Sequence, residues 1–191
     1  MSGTTARPQS LLDFIRFCKE ASVSTLKDYT HIESVHEMLP SSDSIILGHW
    51  MPVIIISSAV MQITFKTHLM TMDGKIFSAS SFKKNPEEMS SQQVLDFFKE
   101  YCNMVGGKIK WLLEFNQIAS GISLPILLRG FDEVFFSHQE TPYLFSDKWK
   151  ITSNTASLTC SILIELQDKT LWKRLNLNYE VSADQSEVTF L

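Results

Sequence analysis

Glu100 and Asn103 lie three residues apart in the stretch SSQQVLDFFKEYCNMVGGKIKWLLE, Ser90 to Glu114. A carboxylate can take a charge-assisted hydrogen bond from a cationic partner. A side-chain amide offers an acceptor and donors without carrying charge. Residues three apart are neighbours on a helix surface, so a helix over this stretch presents the pair together. The same stretch holds adjacent glycines, Gly106 and Gly107. Each costs about 1 kcal/mol relative to Ala in a helix interior. A helix can carry that cost where another body must approach its backbone closely.

The helix is itself legible. Ser90 followed three residues later by Gln93 is a capping box and sets its start. At about 100° per residue, Val94, Phe98, Tyr101, Cys102, Val105, Ile109 and Leu112 share one broad apolar face. Opposite lie Asp96, Glu100, Asn103, Gly107, Lys110 and Glu114, while Lys108 falls toward the apolar side and is expected to snorkel outward. An ordinary solvated face accounts for these polar residues, but it accounts badly for two glycines. Two outward polar side chains beside a smooth patch, pressed on by a partner, account for both.

Other chemistries have little support. The histidines, His31, His36, His49, His68 and His138, form no H-E-x-x-H. The cysteines, Cys18, Cys102 and Cys160, are far apart and form no C-x-x-C, so a disulfide framework or zinc site is not expected and a reducing cytosol fits. There is no P-loop, no G-x-S-x-G and no G-x-G-x-x-G. A net charge of −4, with Phe82–Lys84, Lys108 and Lys110 as the basic set, argues against a nucleic-acid partner.

The elements around the helix suit one domain. With 191 residues, 44% of them hydrophobic, the chain can bury a full core. The polar start MSGTTARPQS lacks the apolar run of a signal peptide. The most apolar run, Ile45 to Val60, is too short to span a bilayer and holds Gly48, His49 and Pro52. Ser10 is placed as the cap of a first helix over Leu11 to Tyr29. Strands are expected over Val53–Ile56, Val60–Met72, Ile122–Leu128, Val134–Phe136, Trp149–Thr152 and Leu158–Leu166. Pro125 makes the third of these an edge or a bulge. The segment MDGK, Met72 to Lys75, reads either as a tight hairpin turn or as a helix start capped by Asp73. From Trp172 onward no role is assigned.

The pattern D-x-x-x-E-x-x-N at Asp96, Glu100 and Asn103, followed by Gly107 and Lys110, resembles the signature helix of the CheC/CheX/FliY phosphatases of bacterial chemotaxis, and its CheX branch most. GISLPILLRG, Gly121 to Gly130, resembles the Pro-bearing strand that follows that helix in the family. The order of elements is also similar. The likeness covers about residues 11–168 of a single domain over 1–191, with a short polar N-terminus and a C-terminal extension. The chain departs from the family pattern in several ways. Its leading helix carries no second E-x-x-N, the segment before the motif helix is short, and Tyr101 and Trp111 are bulky.

The resemblance implies an α+β domain, with long helices packed on a mostly antiparallel sheet. It implies a cytoplasmic bacterial phosphatase that removes the phosphoryl group from the aspartate of a CheY-type receiver domain. Asn103 would orient the attacking water, and Glu100 would pair with the receiver's lysine. Asp96, Gly106, Gly107 and Lys110 would form the docking surface. The Mg2+ would belong to the receiver, leaving this chain without a cofactor or metal of its own. A homodimer is expected, and neither nucleic acid nor a membrane is. A non-catalytic receiver-binding or scaffold module with the same fold is the alternative, and a flagellar-switch-like component a more distant one.

Overall fold

The computed structural model describes residues 7–38, 48–129, 143–168 and 170–175. Three helices, α1 (Gln9–Thr30), α2 (Thr71–Phe82) and α3 (Ser91–Phe115), pack on one sheet. Its strands are β1 (His36–Met38), β2 (Trp50–Ser58), β3 (Met61–His68), β4 (Ser120–Ile122), β5 (Ile126–Arg129), β6 (Leu144–Thr152) and β7 (Ser157–Leu166). The order is β1-β6-β7-β3-β2-β4, with β5 also on β2, and every described pairing is antiparallel. This is the expected α+β architecture.

Alternation fixes which face meets the helices. In β3 and β7 every second residue is buried, and the register sets Ile63 against Ile164 and Phe65 against Ile162. These side chains and Trp149 of β6 join Phe14, Phe98 and Val105 of the helices in one core. The opposite face carries Gln62, Lys66 and Glu165, with Gln62 Nε2 donating to Glu165 at 3.1 Å.

Several boundaries differ from the sequence reading. Helix α1 starts at Gln9 with Pro8 as its N-cap, and no side chain caps it, so Ser10 lies inside the first turn. Pro8 itself lies outside the helix, at φ −58° and ψ 143°, and has no N–H that would need a partner. The strand expected over Val60–Met72 ends at His68, and α2 follows. Met72–Lys75 is therefore neither a hairpin turn nor a helix capped by Asp73. Met70 is the N-cap, and the ring Nδ1 of His49 accepts the Thr71 N–H at 3.3 Å. Gly74 is in this helix for space, since a Cβ there would sit 2.6 Å from Leu69 Cδ1 and 2.8 Å from Val94 Cγ1. The strand expected over Ile122–Leu128 is split at Ser123–Pro125 into β4 and β5, both on the free edge of β2. Pro125 has no N–H for a ladder. In the gap, Ser123 Oγ accepts the Ile55 N–H at 3.0 Å. Trp172, left without a role by the sequence, is buried against Phe14 and Phe145. The strand expected over 134–136 lies outside the described residues.

Candidate functional site

Helix α3 begins as the capping box requires. Ser90 Oγ accepts the Gln93 N–H at 3.2 Å, and Gln93 Oε1 accepts the Ser90 N–H at 3.1 Å. Between Glu100 and Asn103 the chain alternates outward and inward in pairs. Glu100 is exposed and Asn103 half-buried, while Tyr101 and Cys102 between them are fully buried. Tyr101 donates its hydroxyl to the Ser22 carbonyl of α1 at 3.0 Å and lies 3.7 Å from Cys160 Sγ of β7. Trp149 of β6 donates to Ser22 Oγ at 2.9 Å. Cys102 Sγ sits 3.2 Å from Thr67 Oγ1 of β3. The one helical turn that carries the outward pair is thus tied directly to α1, β3 and β7, and to β6 through Ser22.

The outward groups differ in how they are engaged. Asn103 makes no side-chain hydrogen bond among the described residues. Glu100 forms no ion pair among them. Its charge lies near the Tyr29 phenol, whose pKa is raised by burial and further by Glu100. Tyr29 is held at the end of α1 by a stack on Phe97, ring centroids 4.7 Å apart. Asp96 is already partnered by Lys99 at 2.9 Å and by Gln92, bonds that hold its carboxyl below the usual range. Lys110 is paired with Glu114 at 2.6 Å. Lys108 is half-buried and turns its amine toward α1. It donates to Ser24 Oγ of α1 at 3.1 Å, and burial lowers its pKa.

The two glycines have separate explanations. Gly106 is buried and faces the sheet. A Cβ there would meet Ile122 Cδ1 at 2.9 Å and Ile54 Cγ2 at 3.1 Å. The expected docking role of Gly106 is therefore corrected, because the body that approaches it is the chain's own β2–β4 edge. Gly107 is exposed, with nothing within 4 Å of a built Cβ. The fold leaves that glycine unexplained. The surface around Glu100, Asn103 and Gly107 is continuous along α3.

Among the described residues no thiol nucleophile or metal centre competes with this surface. The three thiols are fully buried, and burial pushes that of Cys102 up to about 12, so it stays protonated near neutral pH. Among the described residues no cluster of three His, Cys, Asp or Glu could hold a metal ion. None of the described helices is long and apolar enough to cross a membrane.

Solved structures with this architecture include CheX, CheC-like and FliY proteins. CheX from Vibrio vulnificus superposes with a TM-score of 0.64 at 16% identity, over 80% of this chain and 99% of that one. The fold is that of the CheX and CheC-like chemotaxis proteins. The CheX-like fold recurs in the CheX–CheY–BeF3–Mg2+ complex from Borrelia burgdorferi, with a TM-score of 0.62, 12% identity and coverage of 83% and 99%. FliY of Thermotoga maritima matches with a TM-score of 0.57 at 12% identity, over 90% and 98% of the two chains. At these identities the likeness to CheX is one of fold. No family model and no curated protein matches the sequence.

Sequence reasoning missed two neighbours of the pair. Tyr29 comes to Glu100 from the far end of α1, and nothing local to either segment signals that contact. Met104, Trp111 and Phe115 form an exposed apolar flank beside the polar face. Their helical spacing carried that signal, and Trp111 drew notice only for its size.

Proposed function

We propose that the chain is a CheX-like phosphatase acting on the aspartyl phosphate of a CheY-type receiver domain in the bacterial cytoplasm. The observation that carries this reading is the outward pair Glu100 and Asn103, fixed in place by the inward pair Tyr101 and Cys102, with the Asn103 amide unengaged among the described residues. The solved complex of a CheX of this fold with CheY, BeF3 and Mg2+ supports the choice of partner.

In this mechanism Glu100 takes a charge-assisted bond from the receiver's lysine and sets the docking register. The Asn103 amide enters the receiver's site and orients a water in line with the phosphorus. Attack forms a new P–O bond, the bond to the aspartate oxygen breaks, and the receiver carboxylate and inorganic phosphate are released. Such a reaction needs positioning and charge stabilisation more than covalent participation. A neutral amide suits the place, since a carboxylate would face a phosphoryl group of its own sign. Mg2+ enters with the receiver. Gly107 leaves room for the receiver's loops, whereas Asp96 and Lys110, each paired along the helix, shape the rim.

The test is phosphate release from a panel of the host's phosphorylated receivers, with Asn103→Ala as control. Accelerated release that the control loses supports the phosphatase. A receiver that binds tightly and keeps its phosphoryl group for its unassisted lifetime would identify the non-catalytic module instead.

A further inference from the structure

Three large apolar side chains on α3 remain exposed, Met104 at 37%, Trp111 at 39% and Phe115 at 51%. The Trp111 and Phe115 rings stack on each other, centroids 5.6 Å apart and planes at 24°, with no other described ring in the stack. From Gly107 to Trp111 is about 40° around the helix and about 6 Å along it, and Asn103 is about 12 Å away. This flank therefore borders the open surface over Gly107. The opposite flank of α3 is closed by the sheet, where Gly106 abuts Ile54 and Ile122.

The charges leave little else for a partner to hold. Lys99 is engaged by Asp96, Lys110 by Glu114 and Lys108 by Ser24. Of these outward groups near Asn103, only the Glu100 carboxylate offers a charge with neither an ion pair nor a side-chain hydrogen bond among the described residues. One such contact at an exposed rim contributes at most about 1 kcal/mol. Lasting association then depends on apolar burial, and a central aromatic is the usual anchor.

We infer that Trp111 is the apolar anchor by which this chain selects its receiver, pressing against an apolar patch that adjoins the receiver's lysine. The inference rests on the receiver reading and names the part of the partner that distinguishes one receiver from another. The occupant is the receiver of the proposed function, and its size carries it over Trp111. A folded receiver domain of about 100 residues has a radius of gyration of about 13 Å. A body of that size that reaches Asn103 and lies over Gly107 also covers Trp111. A receiver with a charged residue opposite Trp111 would be rejected, because that charge would be buried without a partner.

The experiment uses the full chain and receivers held in the phosphorylated-like state by beryllofluoride and Mg2+. Binding is followed by tryptophan emission and by calorimetry, and single-turnover phosphate release is followed separately. For the receiver that binds best, Trp111→Ala is expected to weaken Kd by about tenfold or more, the scale of an interface hot spot. It should abolish the emission change on binding and leave the release rate at saturation within about twofold, since it removes binding shared by ground and transition states. Trp111→Phe should recover most of the affinity. Asn103→Ala should retain both the affinity and the emission change while losing release. Unchanged Kd for Trp111→Ala, with the wild-type protein binding and turning over, would overturn the anchor and leave the phosphatase reading standing. If no receiver binds the wild-type chain, both readings fail.

Discussion

At the scale of single residues, the proposed mechanism gives Asn103 and Glu100 different tasks. Asn103 has no hydrogen-bond partner within the described fold, so its removal costs the fold little. Asn103→Ala is expected to keep the wild-type melting temperature and to slow phosphate release by about 100-fold or more, the effect of deleting one positioning group. Wild-type release from this variant would refute its water-orienting role. Glu100 acts through charge. Glu100→Lys should weaken receiver binding more than Glu100→Gln, since it sets a lysine against a lysine, and the gap should narrow at high salt. Equal affinities for the two variants in calorimetry would rule out the pairing.

At the scale of the element, α3 has two faces with opposite requirements, and its adjacent glycines report one each. At Gly106 a larger side chain must displace Ile54 and Ile122, which belong to the sheet. Gly106→Leu is expected to destabilise by about 1–3 kcal/mol, the usual cost of overpacking. At Gly107 there is open space, and any ordinary residue is a better helix former. Gly107→Leu should maintain or raise the melting temperature while blocking phosphate release. Unchanged release would reduce this face to ordinary solvated surface. The same two-sidedness explains why the site turn is rigid. Tyr101 and Cys102 cannot move without breaking buried contacts to Ser22 and Thr67, and unmade buried hydrogen bonds cost about 1–3 kcal/mol each.

At the scale of the whole molecule, the sheet ends on one side in β5, which pairs with β2 and shows Ile126 and Leu128 at 45% and 38% exposure. Leu124, in the link before it, is 87% exposed. An apolar edge of this kind invites pairing with another chain. The proposed homodimer should appear in sedimentation velocity at micromolar concentration, and Leu124→Lys combined with Ile126→Lys should yield monomer. A wild-type chain that sediments as a monomer at high concentration would dispose of the dimer. Helix α3 packs on β2, β3 and β4, but Glu100 and Gly107 lie on its exposed side, away from the sheet, so a monomeric variant should retain phosphate release.

The sequence by itself determined α3, its capping box, its buried and exposed faces and the outward placement of Glu100 and Asn103. These are local properties, set by helical periodicity and by side chains three or four residues apart. It also marked β7, where alternation is strong, and the last part of β6 over Trp149–Thr152. The tertiary structure decided the rest. Thr71–Phe82, with its glycine and four serines or threonines, is a weak helix by propensity, and packing on α3 makes it one. Helical angle put Gly107 on the polar face, but that Gly106 has no room for a side chain turned on where Ile54 and Ile122 lie, which strand pairing fixes. The approach of Tyr29 to Glu100, and the ties from Tyr101 to Ser22 and from Cys102 to Thr67, join segments distant in the chain. Such contacts exist only once the sheet has set the spacing of the helices above it, and no local pattern encodes them.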